Sequence, residues 1–166
     1  MKKIAILLLV CIAHSITSFS QITELILNDP DRVAPTNIRA TPGGAIIRTI
    51  DSREESLVVN IVSKDGNYFL VKSYQYCGRD EIKLSKKGYI HYSVLGVYIS
   101  NYGGDNIPVF SSASTTGSFK RVKYTDEFVN VLDFKNGLFQ VYRKKSNEKF
   151  WIESRYLCFS ACTSCS

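Results

Sequence analysis

The chain has 166 residues, 45% of them apolar and 12% aromatic, with 21 basic against 15 acidic side chains and a formal net charge of +6. That apolar content excludes a disordered, charge-dominated chain. The basic residues are scattered near expected turns and strand ends, without a continuous basic face or a nucleic-acid motif, so no nucleic-acid partner is expected.

Residues 1–20 read as a cleavable secretory signal: Lys2 and Lys3 form the charged start, Ile4 to Ala13 the apolar run, and Ser18-Phe19-Ser20 a small-x-small site before Gln21. The run is shorter than the roughly 20 residues of a membrane span, so no stable membrane anchor is expected. Val10, standing before Cys11, argues against lipid attachment there. The mature chain would be exported, to a periplasm or outside the cell, with a net charge of +4 once the two leader lysines are gone.

After the short apolar lead Leu25 to Leu27, Asn28-Asp29-Pro30-Asp31 is a turn signal, because aspartate side chains bond nearby backbone amides. Asn37-Ile38-Arg39 follows, then the turn Thr41-Pro42-Gly43-Gly44 and a strand over Ile46 to Ile50. A polar connection at Arg53-Glu54-Glu55 leads to a strand from Leu57 to Val62, and Ser63 to Asn67 makes a hairpin into Tyr68 to Tyr76. Gly88 to Leu95 closes this unit.

The pattern then repeats. Val58 to Val62 with Tyr68 to Val71 align without a gap on Phe128 to Leu132 with Leu138 to Val141, at an offset of 70 residues. Glu148 to Leu157 matches the closing segment at an offset of 62, which places an eight-residue insertion between Val71 and Gly88 of the first copy. Asn106-Ile107-Pro108 is matched to Asn37-Ile38-Arg39, and residues 96–104 read as a short, apolar linker. Period-2 alternation points Val59, Ile61, Phe69, Val71 and Ile90 inward in the first copy, and Val129, Val131, Phe139, Val141 and Ile152 in the second. Asn60, Tyr68, Leu70 and Tyr89 then point outward. No segment carries a helical stripe, so only short 3₁₀ turns near Ser93 and Arg155 are expected.

The order of these pieces resembles the bacterial SH3 domain, a small five-stranded barrel: Asn28 to Asp31 leading to Asn37-Ile38-Arg39 and Pro42, then Val59 to Ile61, Asp65-Gly66-Asn67-Tyr68-Phe69, and Gly88-Tyr89-Ile90-His91 ending at Leu95. The second copy is more divergent, lacking the Pro-Gly turn and keeping Phe150-Trp151-Ile152 where the family usually shows glycine, an aromatic and an aliphatic residue. The expected fold is all-β, two small SH3-like barrels in tandem after the signal: residues 21–97, residues 98–158, and a Cys-containing tail at 159–166. The resemblance implies an exported binding or targeting protein that recognises peptidoglycan or an envelope protein or peptide. The alternative is a structural or inhibitory interaction module without a small ligand.

The family tends to place surface aromatics where Tyr68 and Tyr89 stand, beside the loop from Asp29 to Pro35. The candidate ligand surface is therefore Asp29, Asp31, Tyr68 and Tyr89, extended by Tyr74, Tyr76 and Tyr92. Rings offer large contact area at low entropic cost, but the same rings would also simply cover the loop. Cys77, Cys158, Cys162 and Cys165 are disulfide candidates in an exported chain, with Cys77 bonded to one of the tail cysteines favoured. A Cys-based metal site is the rival reading. No catalytic residue, metal ligand or cofactor is assigned: His91, the only mature histidine, reads as a surface strand residue, and no serine sits in a nucleophile elbow.

Overall fold

Two-residue turns set the strand boundaries. Gly66 adopts positive φ (58°), as do Asn136 and Gly137 (54° and 75°), and each pair folds one strand back on the next. The Asn-Gly pair, with both central residues in the left-handed region, is the type I′ turn whose twist suits a hairpin. The computed structural model describes residues 23–28, 35–51, 56–100, 104–123 and 126–162. The expected signal at 1–20, Cys11, Asp29, Asp31 and Cys165 lie outside the described residues.

The chain is all-β. Its strands are β1 (Thr23–Leu27), β2 (Thr36–Arg39), β3 (Ile46–Ile50), β4 (Leu57–Asp65), β5 (Tyr68–Tyr76), β6 (Ile82–His91), β7 (Leu95–Ile99), β8 (Ile107–Phe110), β9 (Phe119–Val122), β10 (Glu127–Lys135), β11 (Leu138–Arg143), β12 (Glu148–Glu153) and β13 (Leu157–Cys158). Single turns of 3₁₀ helix, Tyr92–Val94 and Ser154–Tyr156, precede β7 and β13. All strands join one antiparallel sheet in the order β3-β2-β6-β5-β4-β1-β7-β10-β11-β12-β8-β9, with β13 also on β7. Among the described residues no helix is long and apolar enough to cross a membrane.

The repeat is visible in the pairing itself. Leu25 opposes Val59 as Val97 opposes Val129, and Leu27 opposes Leu95 as Ile99 opposes Leu157. The flanking hydrogen bonds match too: Asn28 N–H to the Val94 carbonyl at 2.8 Å, and Ser100 N–H to the Tyr156 carbonyl at 2.9 Å. β7 therefore closes the first repeat and opens the second. The segment expected as a linker begins within this strand, at residues 96–99, and the expected boundary at 97/98 falls inside it. Its apolar alternation is the reason: Leu95, Val97 and Ile99 are fully buried, and burying three such side chains is worth roughly 1.5–3 kcal/mol each.

Gly96 marks the handover, opposite Ile26 on one side and Asn130 on the other. A Cβ at this position would overlap the Val129 carbonyl oxygen and the Phe128 ring. The core runs through both repeats, and every side chain that the alternation points inward is at most 6% exposed, Phe139 being the least buried. Phe69 of the first repeat lies 6.2 Å from Phe134 of the second, ring centre to ring centre.

One alignment is corrected by the register. Trp151 opposes Phe110 as Tyr89 opposes Arg39, so Phe110, and not Pro108, is the counterpart of Arg39. Buried Ile107 and Val109 then stand where buried Thr36 and Ile38 stand in the first repeat.

The tail is tied to the first repeat. Cys77, at the tip of the β5–β6 hairpin, is bonded to Cys162 across a sequence separation of 85 residues. Cys158, 6% exposed, is itself disulfide-bonded.

Candidate functional site

The outward side chains of β5 and β6 meet because the two strands pair antiparallel, side by side in the sheet. Tyr68 opposes His91, and Leu70 opposes Tyr89. The Tyr68 and His91 rings make an edge contact with centroids 5.0 Å apart, and His91 lies 4.6 Å from Tyr92 with the ring planes tilted by 37°. The three rings form one half-buried row, continuing from the strand pair onto the first residue of the 3₁₀ turn. The Tyr92 N–H donates to the Asn67 carbonyl at 3.0 Å, which holds that end of the row against the hairpin.

The β2–β3 turn borders the row. A side-chain carbon on Gly43 would stand 3.9 Å from the Tyr68 hydroxyl, and its φ of 69° favours glycine. Arg39, opposite Tyr89, spends its guanidinium on the Gly44 carbonyl at 2.7 Å, bracing the same turn. Tyr89 thus lies one register step along the sheet from the Tyr68–His91 pair, on the same face.

His91 was not anticipated as part of this surface. It caps the 3₁₀ turn: the Ser93 N–H donates to Nδ1 at 3.3 Å, and the Ser93 hydroxyl lies 2.8 Å from the same nitrogen. Burial holds the imidazole below the usual histidine range. The ring is accordingly neutral at pH 7, accepting at Nδ1, and serves as a third aromatic surface. Its period-2 relation to Tyr89 and its hairpin pairing with Tyr68 were the sequence signals for this role.

Tyr74 is placed differently from the other tyrosines. A bulge between Val71 and Ser73 changes the alternation of β5, so Tyr74 opposes Val59, is 3% exposed, and packs edge-on against Tyr76 with centroids 6.0 Å apart. The Arg48 guanidinium sits 5.3 Å from its ring centre. Arg79 covers Tyr76 in the same way at 5.5 Å.

The second repeat has no such row. Leu138 and Glu153 oppose each other where Tyr68 and His91 do, and Ser154 begins the turn where Tyr92 does. What it offers is an open cleft of about 300 Å³, lined among others by Phe134, Lys135, Leu138, Phe139 and Phe159 together with Thr23 and Glu24 of β1. Sequence reasoning did not find this cleft, since it brings together β1 and the β10–β11 hairpin, which lie far apart along the chain.

No family model matches the chain, and no curated protein matches it. Among solved structures the chain is similar to NlpC1 from Trichomonas vaginalis, at 15% identity and a TM-score of 0.32, over 87% of this chain and 48% of that one. It is also similar to NlpC2 from the same organism, at 13% identity and 0.33, over 89% and 52%. The chain thus spans about half the length of either protein. A native structure of CBDP35 is similar at 13% identity and 0.27, over 85% of this chain and 98% of that one.

Proposed function

We propose that the protein is an exported, non-catalytic binding protein of two bacterial SH3-like repeats, and that its first repeat recognises an envelope ligand, peptidoglycan or an envelope peptide. The observation that carries this reading is the Tyr68–His91–Tyr92 row, an aromatic surface that the first repeat carries and the second lacks at the paired positions. If rings at these positions were needed only to cover the fold, the second repeat would need them too, yet it uses Leu138, Glu153 and Ser154. Stacking faces accept sugars and extended peptides, and neutral His91 adds a face without the cost of desolvating a charge. Export is supported by the Cys77–Cys162 bond, because such bonds persist in oxidising compartments. The test is sedimentation of the protein with purified cell-wall sacculi: it co-sediments if the reading holds, and stays in the supernatant if not.

A second reading has its own support. The sheet ends on β3 and β9, which expose Ile46 (51%), Ile47 (41%) and Phe119 (56%), and exposed edge strands are ready sites for pairing with another polypeptide. Absence of sedimentation, together with a partner recovered on the immobilised protein and released by Phe119→Lys, would favour a protein-interaction module.

A further inference from the structure

We infer that the cleft between β1 and the β10–β11 hairpin is a second binding site, for a small zwitterion with an apolar side chain, of the size of an amino acid or dipeptide. This site is independent of the aromatic row and of the function proposed for it.

Three observations carry the inference. The wall is aromatic and held in place: Phe134 stacks on Phe139 with centroids 6.1 Å apart and planes 25° apart, and Phe159 lies 5.0 Å from Phe139. Phe159 follows disulfide-bonded Cys158 and precedes Cys162, which is bonded to Cys77, so the tail that carries it is anchored on both sides. The Ser154 N–H donates to the Gly137 carbonyl at 3.0 Å, fixing the hairpin against the second 3₁₀ turn.

The second observation is charge. Glu24 and Lys135 both line the cleft and both are exposed, yet among the described residues neither has an ion pair or a side-chain hydrogen bond, with each other or with anything else. The neighbouring charges are already used, since Lys64 pairs with Asp133 at 3.4 Å. Two opposite charges that share a cleft with one aromatic wall, without meeting, leave room for a ligand with one charge of each sign. Its ammonium would face Glu24, its carboxylate Lys135, and its side chain the phenylalanines.

The third is size. About 300 Å³ is at the lower end of small-molecule pockets, enough for a dipeptide and too small for a folded partner.

The experiment is calorimetric titration of the oxidised protein with alanyl-phenylalanine, and with the same dipeptide acetylated and amidated so that both charges are removed. Saturable one-to-one binding of the free dipeptide is expected, weakened about tenfold by blocking the ends and about tenfold by Glu24→Gln or Lys135→Gln, a factor that corresponds to the loss of one charge-assisted contact. Both substitutions are on exposed side chains, so unchanged thermal unfolding of the variants separates lost binding from lost fold. No saturable binding at millimolar dipeptide, or equal binding of the free and blocked forms, would overturn the inference. Neither result bears on sacculus binding by the aromatic row.

Discussion

Asn130 of the second repeat donates through Nδ2 to the Ser93 carbonyl at 2.9 Å and to the Leu95 carbonyl at 3.2 Å, so its side chain closes the last turn of the first repeat. Its counterpart Asn60 instead donates to the Ser73 hydroxyl at 3.0 Å. Asn130→Ala removes both bonds, the one to Leu95 part-buried, and should cost about 1–2 kcal/mol. Asn60→Ala should cost less, because Ser73 keeps its bond to Glu81. Urea denaturation measures both: the midpoint falls while the slope stays constant.

Gly96→Ala should be the most damaging small substitution in β7. The added methyl group meets a backbone carbonyl and a packed ring rather than the end of a flexible side chain, so the strands must part, at about 1–3 kcal/mol for overpacking of this kind. Hydrogen exchange should show the loss of protection concentrated at Val97 and Ile99, which pair with β10 and β13. Protection lost evenly over the chain would argue against a shared strand.

The Cys77–Cys162 bond closes a loop of 85 residues, for which chain entropy predicts a stabilisation of about 4–5 kcal/mol, engineered examples usually giving less. Cys77→Ser with Cys162→Ser should therefore lower the unfolding midpoint substantially. Far-UV circular dichroism of the folded state should stay unchanged, since the strands pair without the tail.

The His91 imidazole has its proton affinity lowered by burial, so the unfolded chain binds a proton more readily than the folded one. Stability from this group is present above the unfolded value of about 6.5 and is lost as pH falls through the lower folded value. Protonation also ends the acceptance of the Ser93 N–H by Nδ1. The unfolding free energy should drop as the pH falls from about 6.5 through the lower folded value, and His91→Gln should flatten this part of the profile.

Much of the core was legible, because alternation is a direct record of which face is buried: Val59, Ile61, Phe69 and Val71 and their counterparts are all interior. The lack of any helical stripe left only short 3₁₀ turns near Ser93 and Arg155, and the two turns stand there. The dual role of β7 was not, since Leu95, Val97 and Ile99 announce a buried strand without saying which strands flank it. Tyr74 shares the parity of Tyr68 in sequence, and only the bulge after Val71 turns it inward. The match of Pro108 to Arg39 erred for a related reason: loop lengths differ on both sides of β8, and only pairing with β12 fixes its register. A bond from Cys77 to one of the tail cysteines is the favoured pairing of the sequence, but spacing alone does not single out Cys162.

The most direct measurement replaces the aromatic row with the residues that the second repeat already uses at those positions. The variant is Tyr68→Leu, His91→Glu, Tyr92→Ser, and each substitution is one that the same turn and strand geometry accepts in the second repeat. If the row is the binding surface, the variant keeps cooperative unfolding and loses co-sedimentation with sacculi that the unaltered protein shows. Retained sedimentation by the folded variant would contradict the account and move the binding surface elsewhere on the molecule.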